Sequence, residues 1–77
     1  MMAAYTKAEC RSAAANLTPR QRQVLAALAE GKPRKVIAEE LNISPGTVNA
    51  HLEDIYRRLN IQADTQAVRV ACAAGLV

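Results

Sequence analysis

The chain contains no phenylalanine and no tryptophan, and Tyr5 and Tyr56 are its only aromatic residues. Any hydrophobic core must therefore be built from alanine, leucine, valine and isoleucine, a set that suits closely packed helices. The 77 residues are enough for one small domain and not for two. A domain of this size buries roughly 60% of the surface of its unfolded chain and is marginally stable, so a partner subunit or a fused domain would add stability.

Few residues are available for metal binding or catalysis. The chain has two cysteines, Cys10 and Cys72, and one histidine, His51, which together form no zinc-binding motif. It also has no glycine-rich phosphate loop and no paired thiols, so we expect neither a metal nor a cofactor, and no enzyme activity. In a reducing compartment both cysteines are expected to be free thiols.

Long apolar runs are missing as well. No segment is long enough to span a bilayer, and the N-terminus lacks the apolar stretch of a secretory signal. We therefore expect a cytoplasmic protein that does not insert into a membrane. The net charge of +3 is compatible with a nucleic-acid partner but does not by itself indicate one.

Residues 1–16 differ in composition from the rest of the chain. They are rich in alanine and contain no leucine, isoleucine or valine. Alanine favours helix, but these residues offer little apolar bulk to anchor a helix in a core. We predict a flexible arm or linker over 1–16, with frayed helix at most, and a folded domain over 17–77.

The first firm helix begins with a strong capping signal. Thr18 is a favourable N-cap, Pro19 suits the first helical position, and Gln21 completes a capping box. Apolar residues recur at helical spacing up to Leu28, and Gly31 is placed to end the helix.

The next two predicted helices form a helix-turn-helix. The second helix runs from about Pro33 to Leu41, and Asn42 follows where the chain must turn, since asparagine tolerates a left-handed backbone. Ala38 is small enough to let two helices cross closely. The third helix begins at Ser44 as N-cap, and its apolar stripe consists of Val48, Leu52, Ile55 and Leu59.

A fourth helix is predicted from Asp64 or Thr65 to Ala74, where Gly75 stops it. Its core-facing residues are Ala67, Val70, Ala71 and Ala74. Val68 and Cys72 lie beside this stripe and form a second apolar surface, which indicates a dimer interface. The alternative is a monomer with two harmless exposed residues. The predicted fold class is all-α, a four-helix domain with a central helix-turn-helix.

These motifs together resemble the DNA-binding domain of the LuxR-type regulators, also called GerE-type or FixJ-type, over residues 17–77. The resemblance rests on Leu17-Thr18-Pro19-Arg20, Val24-Leu25, Ala29-Glu30-Gly31, Lys35, Ile37-Ala38, Leu41, Ile43-Ser44, Thr47-Val48, His51-Leu52, Ile55, Leu59 and Thr65-Gln66-Ala67-Val68. It implies a bacterial transcription regulator whose third helix reads the major groove and whose fourth helix forms a homodimer. Many members, response regulators among them, carry an N-terminal receiver or ligand-binding domain.

The expected partners are double-stranded DNA with an inverted-repeat operator, a second copy of the chain, a fused or separate sensory domain, and RNA polymerase. Some positions depart from the usual family pattern. Asn49 stands where lysine is very common, Glu53 where some members have a basic residue, and Gln21 and Gln23 where glutamate is common.

Phosphate contacts provide affinity, whereas base contacts provide specificity. The candidates for phosphate contact are cations near the second helix, hydroxyls at the start of the third, and two arginines further along it: Lys32, Arg34, Lys35, Ser44, Thr47, Arg57 and Arg58. The alternatives are a solvated basic loop for the first three and an ordinary surface pair between Glu53 and Arg57.

Three residues of the third helix are candidates for base contact. Asn49 can pair with adenine, and Ala50 can contact a thymine methyl group. Glu53 fits only if it accepts from a cytosine amino group or points away from the DNA. These residue types favour a half-site rich in A and T. His51 is expected to pack partly buried between helices.

Two other functions remain open. The helix-turn-helix could serve as a protein-interaction module in which Asn49 and Glu53 mark a lost DNA-reading surface. It could also belong to region 4 of a sigma factor, although the capped fourth helix after Asn60 and Ile61 argues against that reading. Salt-sensitive binding to duplex DNA would distinguish the first of these from a DNA-binding regulator.

Overall fold

The computed structural model describes residues 7–76, with side chains from residue 8 onward. Within this range the chain forms α-helices only, which confirms the all-α class. The helices are α1 (Lys7–Ala15), α2 (Pro19–Ala29), α3 (Arg34–Leu41), α4 (Pro45–Leu59) and α5 (Asp64–Ala73). The four helices expected from the sequence correspond to α2 to α5.

The capping signals at both ends of α2 are confirmed. The Thr18 hydroxyl accepts from the Gln21 backbone N–H at 3.1 Å, and the Gln21 side-chain oxygen accepts from the Thr18 N–H at 3.1 Å. At the other end Gly31 adopts φ 85°. The Gly31 and Lys32 N–H groups then donate to the Leu28 and Ala27 carbonyls, at 3.0 and 3.2 Å, which closes the helix.

The turn between α3 and α4 has the left-handed residue that the sequence predicts. Asn42 has φ 56° and ends α3, and Ser44 caps α4 by accepting from the Thr47 N–H at 3.1 Å. Helix α3 begins one residue later than expected, because Pro33 is extended and occupies the N-cap position. Ala38 is only 2% exposed, as expected of a small residue at a close helix crossing.

The core lies between α2 and the helices that pack on it, α4 and α5. The predicted apolar stripe of α4 is completely buried, and Ile61, just beyond the left-handed Asn60, returns to the same core. The core residues of α2 to α5 with the least exposure are Val24, Leu25, Ile37, Ala38, Val48, Leu52, Ile55, Leu59, Ala67 and Ala71. Burial of the stripe leaves the opposite face of α4 toward solvent.

The structure differs from the expected frayed arm over residues 7–15. Helix α1 packs against α5, with Cys10 and Ala14 only 3% and 4% exposed. Small side chains suffice here because they let the two helix backbones approach closely. Residues 1–6 of the expected arm, including Tyr5, lie outside the described residues. A domain boundary at residue 17 stays a prediction.

Helix α5 follows the expected course up to Gly75, which has φ 77°. Ala67, Val70 and Ala71 are buried, whereas Ala74 is half-buried. Ala63 stands at the N-cap in an extended conformation and offers no side-chain hydrogen bond. Within residues 7–76, no helix is long and apolar enough to cross a membrane.

The uncapped start of α5 generates a stability prediction. We expect Ala63→Ser to raise the free energy of unfolding by about 1 kcal/mol, because a serine hydroxyl can accept from a free N–H of the first turn. For a domain of this size that corresponds to a rise in Tm of about 4–8 °C. Thermal denaturation followed by circular dichroism measures it. Gln62→Ser, at the exposed neighbouring position, is the control and should leave Tm unchanged; an equal rise there would contradict the capping argument.

Candidate nucleic-acid interface

The predicted base-reading residues share one exposed face in the first half of α4. Asn49, Ala50 and Glu53 are all exposed, whereas Val48 and Leu52 of the same helix are buried. This alternation follows from the helical period, since residues three and four apart share a face. The three side chains therefore form a polar surface that a groove of DNA could accommodate.

The hydroxyls at the start of α4 are held in place by each other. The Ser44 and Thr47 hydroxyls are hydrogen-bonded at 2.9 Å, and both residues are exposed. The first backbone N–H groups of a helix are also without intrahelical partners and carry partial positive charge. At this end of α4, Pro45 has no N–H and the Thr47 N–H already donates to Ser44, so the two hydroxyls and the Gly46 N–H are the groups that can face an anion.

Lys32 and its carboxylate partners form one ion cluster beside α3. The Lys32 ammonium lies 2.9 Å from a Glu40 carboxylate oxygen and 3.3 Å from one of Glu30. The hydrogen bonds to Glu40 and then Glu30 raise the pKa of Lys32. The cation expected to contact phosphate is thus already paired within the fold.

Arg34 is paired in a similar way, with a residue of α5. Its guanidinium donates to both carboxylate oxygens of Asp64 at 3.2–3.4 Å. The Tyr56 hydroxyl donates to the same carboxylate, and this bond is the largest of the effects that lower the pKa of Asp64. Burial, followed by the bond to Asp64, raises the pKa of Tyr56 to about 12. Asp64 therefore connects the starts of α3 and α5 with α4.

Lys35 is the exception among the predicted phosphate-binding cations. It is exposed and forms no ion pair with any of the described residues. It lies on the first turn of α3, next to Arg34. Its ammonium group is accordingly available to a partner.

The two arginines near the end of α4 both pair with Asp54. Arg58 lies 2.8 Å and Arg57 3.7 Å from its carboxylate oxygens, and Arg58 also donates to the Asn16 carbonyl at 3.2 Å. The alternative pairing of Arg57 with Glu53 is not the one found; Asp54, three residues before Arg57 and four before Arg58, pairs with both arginines. Glu53 stays on the exposed face.

One buried contact across the fold was missed by the sequence analysis. Gln21 is 4% exposed and is the only buried polar side chain among the described residues. Its amide donates to Asp54, and this bond is the leading cause of the lowered pKa of Asp54. The spacing of Asp54 and Arg58 could have indicated their pair, but nothing in the sequence relates Asp54 to a residue 33 positions away.

The predicted dimer surface lies on α5, where Val68 is half-buried and Cys72 exposed. Val68 also lines an open cleft of about 610 Å³ between α5 and the loop that joins α2 to α3. His51 is half-buried, as expected. Within the part of the chain that the structure describes, no three side chains of histidine, cysteine, aspartate or glutamate converge in a way that could hold a metal ion.

Comparison with known proteins adds an independent finding. Residues 15–71 match the family described as bacterial regulatory proteins, luxR family. The chain is 54% identical over 52 residues to YhjB of Escherichia coli K12, named as an HTH-type transcriptional regulator; this covers 68% of the chain and 26% of YhjB. It is 37% identical over 67 residues to the transcriptional regulatory protein FixJ of Rhizobium meliloti 1021, covering 87% of the chain and 33% of FixJ.

A further relative is the nitrate/nitrite response regulator protein NarL of Escherichia coli K12, which is 35% identical over 51 residues. That match covers 66% of the chain and 24% of NarL. The chain therefore spans between 24% and 33% of the length of these relatives.

The contact between Gln21 and Asp54 generates a prediction with a defined pH dependence. Gln21→Glu should lower the free energy of unfolding near pH 7 by about 1–3 kcal/mol, because a buried carboxylate would face another carboxylate. Burial and Asp54 would raise the folded-state pKa of the new glutamate above its unfolded value of about 4.3. The new glutamate therefore ionises more easily in the unfolded state than in the folded state. As a result, the loss in free energy of unfolding grows as pH rises through the folded-state pKa of this glutamate.

The measurement compares thermal unfolding of Gln21→Glu with the original chain at about pH 5 and about pH 7. Gln23→Glu is the matched control, since Gln23 is exposed on the same helix. We expect a larger deficit at the higher pH for Gln21→Glu and none for Gln23→Glu. Equal deficits in the two variants would refute a specific contact with Asp54.

Proposed function

The chain belongs to the LuxR family of bacterial regulatory proteins, and on that premise we propose that it binds double-stranded DNA sequence-specifically as a transcription regulator. In this proposal α4 enters the major groove. The observation that carries the proposal is the exposed face of α4, where Asn49, Ala50 and Glu53 lie opposite a fully buried apolar stripe. Burial of the stripe fixes which side chains α4 presents.

In the proposed complex the bases are read from the first half of α4. Asn49 pairs with the N6 and N7 atoms of adenine, and Ala50 contacts a thymine methyl group. Glu53 accepts from a cytosine amino group or turns away, since its carboxylate repels phosphate. This assignment is supported by the exposure of all three residues.

The phosphate contacts are assigned to residues near the start of α3 and at the two ends of α4. Lys35 is the leading candidate because it is exposed and unpaired within the described residues. Ser44 and Thr47 add hydroxyls at the start of α4. The remaining candidates must exchange a carboxylate partner for phosphate, and they are Lys32, Arg34, Arg57 and Arg58.

We further propose that two copies bind together through α5. Val68 and Cys72 supply apolar surface beside the core-facing stripe of α5, with Val68 half-buried and Cys72 exposed. A twofold dimer places two recognition helices about one DNA turn apart, which requires an inverted repeat. The proposal also includes a fused or separate sensory domain, RNA polymerase as a partner, and a cytoplasmic location. It is supported by longer relatives that are named as transcription or response regulators.

Selection of duplexes from a random DNA pool at low salt tests the proposal. Recovery of an inverted repeat would support a dimeric sequence reader, and recovery of a single half-site would support a monomeric one. If no motif is enriched and no duplex is retained, the DNA-binding proposal for this chain is wrong, and contact with protein becomes the leading alternative.

Asn49→Ala tests the base-reading assignment. We expect a changed preference at one or two base positions of the selected site, because an asparagine amide provides about 1–3 kcal/mol of discrimination for adenine. Repeating the selection with the variant measures this change. The fold should be unaffected, since Asn49 is exposed. If the variant selects the same site with the same affinity, Asn49 does not read a base.

Lys35→Ala tests the phosphate assignment. Binding should weaken to a similar extent on all sequences, and the slope of log affinity against log salt should fall by about one. Titrations of selected and random duplexes at several salt concentrations measure both effects. Arg11→Ala is the control, because it removes the same charge from an exposed position on α1. A similar loss in both variants would show only a general effect of net charge.

A further inference from the structure

Four of the cations proposed to contact phosphate are paired with carboxylates of the same chain. Lys32 pairs with Glu40 and Glu30, and Arg34 pairs with Asp64. A cation that binds phosphate must first give up such a partner. These carboxylates therefore occupy the place that a DNA phosphate would take.

Glu40 and Glu30 differ from Asp64 and Asp54 in that Lys32 is the partner found for their side chains, and Glu40 lies nearer to it, at 2.9 Å against 3.3 Å. Asp64 also accepts from the Tyr56 hydroxyl, and Asp54, which pairs with the arginines of α4, accepts from the buried Gln21. Glu40, by contrast, is exposed on α3, and the contact found for its side chain is the one with Lys32. Its removal should leave the packing of the helices intact.

We propose that Glu40 is an internal competitor of DNA phosphate for Lys32 and so sets the affinity of the chain for DNA. The inference rests on the proposed DNA-binding function and concerns the control of that same surface. Glu40 holds the ammonium group at 2.9 Å and adds a negative charge beside an approaching phosphate. Both effects oppose the contact between Lys32 and DNA.

The same competition reduces the salt dependence of binding. A free lysine that neutralises a phosphate releases counterions, which contributes roughly −0.9 to the slope of log affinity against log salt. When Lys32 exchanges Glu40 for phosphate, the released carboxylate attracts a cation, and the net release is smaller. The slope of log affinity against log salt should therefore be shallower than it would be if every proposed phosphate-contacting cation were free before binding.

The test uses short duplexes of random sequence, because phosphate contacts do not depend on sequence. Glu40→Gln is compared with Glu39→Gln, which removes the same charge from the neighbouring exposed residue. We expect Glu40→Gln to bind about two- to fivefold more tightly at low salt, the range of a surface ion pair of up to about 1 kcal/mol, with a steeper slope. Glu39→Gln should bind much like the original chain.

Repeating the comparison in chains that also carry Lys32→Ala shows whether the effect of Glu40 on DNA affinity depends on Lys32. Without Lys32, Glu40→Gln should gain no more affinity than Glu39→Gln. Equal gains for the two glutamine variants, or a gain from Glu40→Gln that persists without Lys32, would overturn the competition. If neither the original chain nor any variant binds duplex DNA at low salt, the proposed function itself fails, and the competition fails with it.

Discussion

Burial of one stripe of α4 is the constraint on which the remaining structure depends. Val48, Leu52, Ile55 and Leu59 lie fully inside the core, against α2 and α3. A helix whose apolar stripe is buried cannot rotate about its axis without exposing it, so the outward face is determined as well. Hydrophobic packing thus sets the orientation of the face that carries the proposed base-contacting residues. This orientation requires no contact made by those residues themselves.

Polar contacts also connect helices of this core to one another. Asp54 joins α4 to α2 through Gln21, and Asp64 joins α5 to α3 and α4 through Arg34 and Tyr56. The contact with Gln21 is buried, where an unpaired partner would be costly. The others are largely exposed, so each contributes little to stability and can be exchanged for a new partner. The fold therefore holds its basic residues in place without binding them tightly.

A core made of small aliphatic residues allows close packing but provides limited stability. Helix α1 illustrates both effects, because it docks on α5 with little more than Cys10 and Ala14. The family match begins at residue 15, so most of α1 lies outside it. The relatives are three to four times longer than the matched region, and the packing of α1 on α5 shows how residues preceding the matched domain can join its core.

The sequence by itself determined the features that depend on neighbours along the chain. The capping box of Thr18, the left-handed turn at Asn42 and the stripe of α4 could all be predicted, because each arises within a few residues. Only the tertiary structure decided which polar groups pair between helices and whether α1 is packed. The bond from Gln21 to Asp54 and the pair of Arg34 with Asp64 join residues 33 and 30 positions apart. Such contacts depend on how the helices cross, which local propensity does not specify.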